Sequence, residues 1–219
     1  MPRMARLIVP GYPHHVTQRG SRRQVTFFAD ADYVAYLKLI ETTKTAADVE
    51  IWAYCLMPNH VHMVAVPLES QGLAKMLSIT HHCYARRVNA VHGWRGHLWQ
   101  ERFHSFVMDE AHLLAAVRYI ELNPVRAGLC REVDQWRWSS VHAHFRGEPD
   151  AIVTTAPMLE MVSDWRQYLS LDRTPKMTDA LRSHSRTGRP AGEDDFIATL
   201  ESLSGRKLRR RRPGPKPRR

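Results

Sequence analysis

Two strand-like runs separated by only two residues constrain the fold more than any other feature of the sequence. EIWAYCLM (50–57) and HVHMVAV (60–66) are joined by Pro58-Asn59. So short a connection implies an antiparallel β-hairpin. The second run is apolar on both alternating sets apart from its histidines, which is typical of a central strand covered on at least one face. We therefore expect an antiparallel sheet with His60 and His62 near its middle.

The segments on either side of the hairpin alternate between strand and helix patterns. HHVTQRG (14–20) predicts a first strand, and FADADYVAYLKLIETTKTAADV predicts an amphipathic helix with Asp30 as its N-cap. A second helix is expected over 72–91, a fourth strand over 102–109 and a third helix over 112–123, where Pro124 stops it. The order β-α-β-β-α-β followed by a helix predicts an α+β fold of the ferredoxin-like, split βαβ kind with a central antiparallel sheet. Such a sheet supports many unrelated functions.

The chain changes character after about residue 147, so we expect three regions: a domain over 1–147, a helical C-terminal extension over 148–205, and a basic tail over 206–219. In the extension, PMLEMVSDWRQYLSL and EDDFIATLESLS predict short helices, and HSRTGRPAG between them predicts a loop. The formal net charge is +10, and the tail supplies nine basic residues and no acid, so the rest carries 10 − 9 = +1. We expect this proline-punctuated tail to stay disordered until it meets a polyanion, with a purely solubilising role as the alternative.

Nothing in the sequence predicts a membrane or disulfide-bonded protein. No window approaches the roughly 18 apolar residues that a membrane span needs. The three cysteines are widely separated and form no Cys-x-x-Cys pair, so neither a disulfide framework nor a zinc knuckle is indicated. We expect a soluble protein without a membrane partner.

His60 and His62 are candidates for a metal site because alternate residues of a strand project from the same face. Their imidazoles should lie about 7 Å apart, close enough to share a divalent ion. Two hydrogen-bonded histidines without a metal are an equal alternative. On the third predicted helix, Tyr119 and Asn123 are four residues apart and so share a face. They could be functional, or simply an exposed tyrosine and a helix-ending asparagine.

Four segments carry a resemblance to a known family. PGYPHHVTQRGSRRQ, AYCLMPNHVHMV, GHLWQERFHS and RYIELNPVRAGL occur in this order. They resemble the successive signature blocks of the REP-associated tyrosine transposases, which belong to the IS200-like, HUH (His-hydrophobic-His) single-strand DNA transposases. The resemblance covers about residues 3–147, and TGRPAGEDDFIATLESLSGRKL is similar to the tail region of longer members.

This resemblance implies a mechanism and assigns its residues. His60, His62 and Asn123 would hold Mg²⁺ or Mn²⁺, and an oxygen ligand beside two imidazoles suits an ion harder than zinc. Tyr119 would attack a phosphorus atom to give a 5′-phosphotyrosine and a free 3′-hydroxyl. The substrate implied is single-stranded DNA, with hairpins of repeated palindromic elements as its target. The location implied is the cytoplasm of a bacterium, in association with the nucleoid.

Basic residues could neutralise the DNA phosphates, although each could equally be a solvated surface arginine. The candidates lie after the first strand, on the second helix and in the tail: Arg19, Arg22, Arg23, Arg86, Arg87, Arg209, Arg210, Arg211 and Arg212. Three other functions stay open at this point: a catalytically inactive DNA-binding regulator, a replication initiator or relaxase, and a metal hydrolase that uses water. Whether the protein acts as a monomer or a homodimer is also open.

Overall fold

A computed structural model describes residues 5–171 and 175–209 of the chain. Its first elements follow the predicted β-α-β-β-α-β-α order. They are β1 (His14–Arg19), α1 (Asp30–Ala46), β2 (Val49–Met57), β3 (His60–Pro67), α2 (Gly72–His92), β4 (His104–Val107) and α3 (Glu110–Glu121).

The four strands form one sheet in the order β2-β3-β1-β4, with every neighbouring pair antiparallel. This strand order and the element order together confirm the ferredoxin-like prediction. The β2–β3 hairpin turns at Pro58-Asn59, as expected. Between β1 and β3, Thr17 lies opposite His62 and Arg19 lies opposite His60. The predicted histidines are therefore on a strand that is paired on both sides.

The two faces of the sheet are covered differently. Helices α1 and α2 pack on one face, where Tyr36, Ile40 and Leu77 join Val16 and Met63 in one apolar cluster. Helix α3 packs on the other face through its predicted stripe of Leu113, Val117 and Ile120, which contact the sheet residues Ala53, Cys55 and Val64. The face that carries His60 and His62 is therefore the α3 face.

Helix boundaries differ slightly from the sequence predictions. Helix α1 begins at Asp30, so Ala29 and not Asp30 is its N-cap. Helix α3 begins two residues earlier than expected because the Asp109 side chain accepts a hydrogen bond from the His112 backbone N–H at 2.9 Å. Asn123 was expected as the last residue of α3 but begins a one-turn helix, α4 (Asn123–Arg126), that has Pro124 in its first turn.

The chain beyond residue 140 is helical. It contains α5 (Val141–Arg146), which precedes the C-terminal extension, and α6 (Ala156–Met161), α7 (Trp165–Ser170), α8 (Pro175–Thr187) and α9 (Asp194–Ser204) within the extension. The sequence did not predict α5 or α8. The HSRTGRPAG segment was expected as a loop, but its first four residues end α8. Helix α8 is mostly polar and is held by tertiary contacts: Leu181 is buried, and His104 Nδ1 lies 3.1 Å from the Ser185 carbonyl oxygen.

The first residues of the basic tail contact the rest of the protein. The Arg206 guanidinium donates to the carbonyl oxygens of Ala5 and Arg6, and Leu208 is buried in a small apolar cluster with Leu7 and Val9. The remaining tail residues, 210–219, lie outside the described residues. None of the helices in the part of the chain that the structure describes has the length and apolar character needed to cross a membrane.

Candidate active site

Three histidines converge on the α3 face of the sheet. His60 and His62 alternate along β3, and His15 reaches the same face from the adjacent strand β1. The His60 and His62 rings are 4.9 Å apart at their centroids and nearly perpendicular, whereas the His15 and His62 rings are stacked at 5.3 Å. His15 and His62 are buried, and His60 is half-buried.

Helix α3 brings Tyr119 over these histidines. The Tyr119 ring lies 5.6 Å from the His62 ring and 6.3 Å from the His15 ring, edge to face in both cases. Leu122 keeps helical backbone angles between α3 and α4, so Asn123 stays one turn beyond Tyr119. All the predicted catalytic and metal-binding residues therefore meet at one place within a single chain.

These residues line an open cavity of about 810 Å³. Its walls come from β1, β3, the segment before β4, helices α3 and α4, and the unpredicted helix α8. The basic side chains among them are Arg19, Arg23, Arg126, Arg182 and Arg186. A cleft of this volume with five arginines can accommodate a phosphodiester backbone.

His60 and His62 are held neutral. Burial, with smaller contributions from the nearby Arg19 and Arg126, lowers the pKa of His60 to about 3. Burial also lowers the pKa of His62 well below its ordinary value, with contributions from His60 and His15. Neutral imidazoles keep a lone pair on one ring nitrogen, which is the form that binds metal ions.

Hydrogen bonds position the side chains that could hold an ion. His60 Nδ1 lies 2.6 Å from Asn59 Oδ1, and His62 Nδ1 lies 3.1 Å from His15 Nε2. Asn123 Oδ1 accepts from the Arg126 guanidinium at 2.9 Å. Each hydrogen bond occupies one ring nitrogen of a histidine or one lone pair of the Asn123 oxygen. The second ring nitrogen, or the second lone pair, stays available to bind an ion.

The donor set of His60, His62 and Asn123 fits a hard divalent ion. A second lone pair remains on Asn123 Oδ1 beside the one that accepts from Arg126. Among the described residues, no three His, Cys, Asp or Glu side chains converge to hold a metal ion. The third predicted ligand is an amide, outside those four residue types, so this finding leaves the predicted set untested.

The predicted DNA-binding arginines are dispersed. Arg19 and Arg23 line the cavity, and Arg22 is exposed next to Arg23. Arg86 lines a separate cavity of about 830 Å³ beside α2, and Arg87 lies 3.8 Å from the Asp32 carboxylate. Arg209 contacts Glu201 and the Asp194 carbonyl of α9, while Arg210, Arg211 and Arg212 lie outside the described residues.

His15 and Arg126 belong to the cavity but were not predicted. His15 follows another histidine in the PHH triplet, and only the pairing of β1 with β3 shows which of the two faces His62. Strand alternation places His15, Thr17 and Arg19 on one face of β1, but it does not show which face of the sheet that is. Arg126 lies in the RYIELNPVRAGL segment, three residues after Asn123.

Comparison with known proteins is consistent with this arrangement. The family model for IS200-like transposases matches residues 9–123. The structure of a REP-associated tyrosine transposase bound to a REP hairpin superimposes with a TM-score of 0.55 at 20% identity, covering 70% of this chain and 92% of that one. A crystal structure of a candidate transposase from Deinococcus radiodurans R1 gives a TM-score of 0.38 at 19% identity, covering 55% of this chain and 96% of that one. No curated protein matches the chain.

The solved structures are too distant in sequence to show more than the fold. The family model, in contrast, covers more than half of the chain, from the segment before β1 to Asn123, and so includes every predicted catalytic and metal-binding residue. The chain belongs to the IS200-like transposases, a family of DNA-cleaving enzymes.

Proposed function

We propose that this protein nicks and rejoins single-stranded DNA, with Tyr119 as the nucleophile. The observation that carries the proposal is the placement of the Tyr119 ring 5.6 Å from the His62 ring of the same chain, on one wall of an arginine-lined cavity. In this proposal Tyr119 serves its own chain, so a monomer has a complete set of catalytic residues.

In the reaction, the Tyr119 phenolic oxygen bonds to the phosphorus and the bond from phosphorus to the 3′-oxygen breaks. The tyrosine proton is transferred to the departing oxygen, which leaves as a 3′-hydroxyl. The products are a 5′-phosphotyrosine and a free 3′ end, and the reverse reaction with another 3′-hydroxyl rejoins DNA. The phosphodiester energy is conserved in the covalent intermediate.

His60, His62 and Asn123 would hold the divalent ion, Mg²⁺ or Mn²⁺. When bound, such an ion neutralises charge on the phosphoryl oxygens. The chain's own contribution is to keep both imidazoles neutral by burial and to present them with the amide oxygen at one end of the cavity. Mixed nitrogen and oxygen donors favour these ions over a thiolate-seeking metal.

A DNA hairpin with a single-stranded flank is the proposed substrate. The structurally similar transposase was solved with a REP hairpin, which supports hairpin DNA as the class of ligand. In the present chain, the cavity arginines Arg19 and Arg23, on β1 and just after it, and Arg182 and Arg186, on α8, would neutralise the phosphates of a strand lying in the cavity. Acting on chromosomal hairpins would place the protein at a bacterial nucleoid.

The proposal is tested by incubating the protein with labelled hairpins from its own flanking repeats and Mn²⁺ or Mg²⁺. We expect a denaturation-resistant protein–DNA adduct from the wild type and none from Tyr119→Phe. Tyr12→Phe is the matched control, since Tyr12 packs on Phe196 outside the cavity, and it should form the adduct normally. Cleavage by Tyr119→Phe would support a water-using hydrolase, and hairpin binding without any adduct would support the inactive regulator.

A further inference from the structure

We propose that Asn59 is a positioning residue that fixes the tautomer of His60. The inference rests on the proposed metal-binding role of His60, which requires a lone pair on one of its ring nitrogens. Asn59 belongs to the two-residue turn between β2 and β3 and directly precedes the first histidine. It lies outside the predicted donor set of His60, His62 and Asn123.

The hydrogen bond between Asn59 and His60 determines where the His60 proton resides. Asn59 Oδ1 lies 2.6 Å from His60 Nδ1, and an amide oxygen can only accept. His60 Nδ1 must therefore carry the hydrogen. Because the neutral ring has one N–H, Nε2 is left with its lone pair directed away from Asn59.

The orientation of the Asn59 amide is fixed by a second partner. Asn59 Nδ2 donates to the Arg23 carbonyl oxygen at 3.0 Å. Rotating the amide by 180° would set its oxygen against that carbonyl oxygen and would lose the hydrogen bond to Arg23. Asn59 therefore presents its oxygen, and not its nitrogen, to His60.

Through this amide, His60 is connected to the basic turn that follows β1. Arg22 and Arg23 adopt φ angles of 53° and 63°, which side-chain-bearing residues rarely adopt. The turn is held by the Asn59 side chain at Arg23 and by a 2.9 Å hydrogen bond from the Gly20 N–H to the Asn59 carbonyl oxygen. Asn59 thus positions a metal ligand and a DNA-facing turn at once.

His62 has no equivalent. Its Nδ1 lies 3.1 Å from His15 Nε2, and either imidazole can be the donor. That pair leaves the tautomer of His62 undetermined, so of the two metal-binding histidines only His60 has its tautomer set by its neighbour. Partners of this kind typically change metal affinity 10- to 100-fold when they are removed.

The first test uses the full chain without DNA or metal. Nitrogen-15 correlation spectra of the imidazoles at neutral pH should show the His60 proton on Nδ1 in the wild type, with the other tautomer appearing in Asn59→Ala. Asn59→Asp retains the acceptor and should keep the wild-type tautomer. Asn89→Ala is the matched control, because Asn89 also donates to a backbone carbonyl, that of Gly96, and its side chain makes no hydrogen bond to a histidine within the described residues.

The second test titrates the same proteins with Mn²⁺ and follows free Mn²⁺ by electron paramagnetic resonance. We expect Asn59→Ala to bind about 10-fold more weakly or worse. Asn59→Asp should bind Mn²⁺ at least as tightly as the wild type. In a separate measurement of hairpin binding, Asn59→Asp should bind more weakly, because its side chain no longer donates to the Arg23 carbonyl. Asn89→Ala should match the wild type in both measurements.

Two negative outcomes are distinguishable. In the first outcome, the wild type and Asn59→Ala bind Mn²⁺ equally well and His60 has the same tautomer in both proteins. This result would overturn the inference about Asn59 but not the proposed metal-binding role. A wild type that binds no Mn²⁺ would overturn the proposed metal role and the inference with it. Each outcome is independent of DNA cleavage, because no DNA is present during Mn²⁺ binding.

Discussion

At the scale of single residues, Arg126 links the proposed nucleophile to the proposed third metal ligand. Its guanidinium carbon lies 3.8 Å over the Tyr119 ring, and the same group donates to Asn123 Oδ1 at 2.9 Å. A cation–π contact and a charged hydrogen bond each contribute about 1 to 3 kcal/mol in such settings. Arg126 therefore restrains both side chains relative to each other.

We predict that Arg126→Ala slows adduct formation roughly 10- to 100-fold, because about 1.4 kcal/mol corresponds to tenfold in rate. Arg126→Lys should be intermediate, since an ammonium keeps the charge but not the planar fork. Arg118→Ala is the control: Arg118 also lies over a tyrosine ring, that of Tyr168, but outside the cavity. Single-turnover rates for Arg126→Ala within twofold of the wild type would contradict this role.

Site residues could be predicted from the sequence where a local pattern relates them, and not where they meet only through strand pairing. His60 and His62 follow from strand alternation, and Tyr119 and Asn123 from helical spacing and resemblance. His15 faces His62 only through the β1–β3 register, which alternation alone does not give. The roles of His60, His62, Tyr119 and Asn123 stay predictions until the chemistry is measured.

At the scale of elements, α3 is fixed at both ends by residues from beyond residue 123. At its start, Asp109 accepts from the Glu193 backbone N–H at 3.1 Å and its own N–H donates to the Ala191 carbonyl at 2.9 Å. Near its end, the fully buried Glu121 accepts from His144 Nδ1 and Ser140 Oγ at 2.6 Å and from Trp165 Nε1 at 2.8 Å. Tyr119 is therefore carried on a rigid helix.

We predict that Glu121→Ala lowers the free energy of unfolding by about 3–5 kcal/mol, because it leaves buried polar partners without an acceptor. Trp165→Phe removes a single N–H and should cost less, about 1–3 kcal/mol. Chemical denaturation measures both. Glu41→Ala, on the exposed face of α1, should change stability by less than about 0.5 kcal/mol. Equal effects of Glu121→Ala and Glu41→Ala would contradict the anchoring.

The elements differ in how well the sequence predicts them. Alternating and 3.6-residue patterns predicted β1 to β4 and α1 to α3 in the correct order. Helix α8 was not predicted because its sequence is polar and it is held through Leu181 and contacts with β4. Local patterns do not encode that tertiary support.

At the scale of the whole molecule, the region that matches the family and the C-terminal extension share a core. The cluster under α3 combines Val117 and Phe106 with Val141, Met158 and Trp165 from after residue 123. The domain boundary at residue 147 stays a prediction. The apolar contacts of this cluster join residues on both sides of that boundary. Folding of the two parts should therefore be cooperative.

A buried histidine makes the stability of this whole unit sensitive to acid. His14 donates from Nδ1 to the Tyr12 carbonyl and accepts at Nε2 from the Val9 N–H, and burial lowers its pKa from 6.5 to about 4. Below about pH 6.5 the unfolded chain takes up a proton that the folded chain does not. The free energy of unfolding must then fall as the pH decreases toward 4.

We predict that His14 accounts for a loss of about 2 kcal/mol between pH 7 and pH 5. His14→Gln retains a hydrogen-bond donor and an acceptor but has no group that titrates in this range. Between pH 7 and pH 5 its free energy of unfolding should therefore fall by about 2 kcal/mol less than that of the wild type. Denaturant titrations at both pH values measure the difference. The exposed His82→Gln serves as the control for replacing a histidine by glutamine. The same slope in His14→Gln as in the wild type would contradict the assignment.

The central claim, that Tyr119 becomes covalently linked to DNA, is tested most directly by mass spectrometry of the adduct. Nuclease trimming and trypsin digestion should leave a nucleotide on the peptide YIELNPVR (119–126), in which Tyr119 is the sole tyrosine. Fragmentation is expected to place the added mass on Tyr119. A nucleotide on any other residue, or cleaved DNA with a free 5′-phosphate and no modified peptide, would contradict the account.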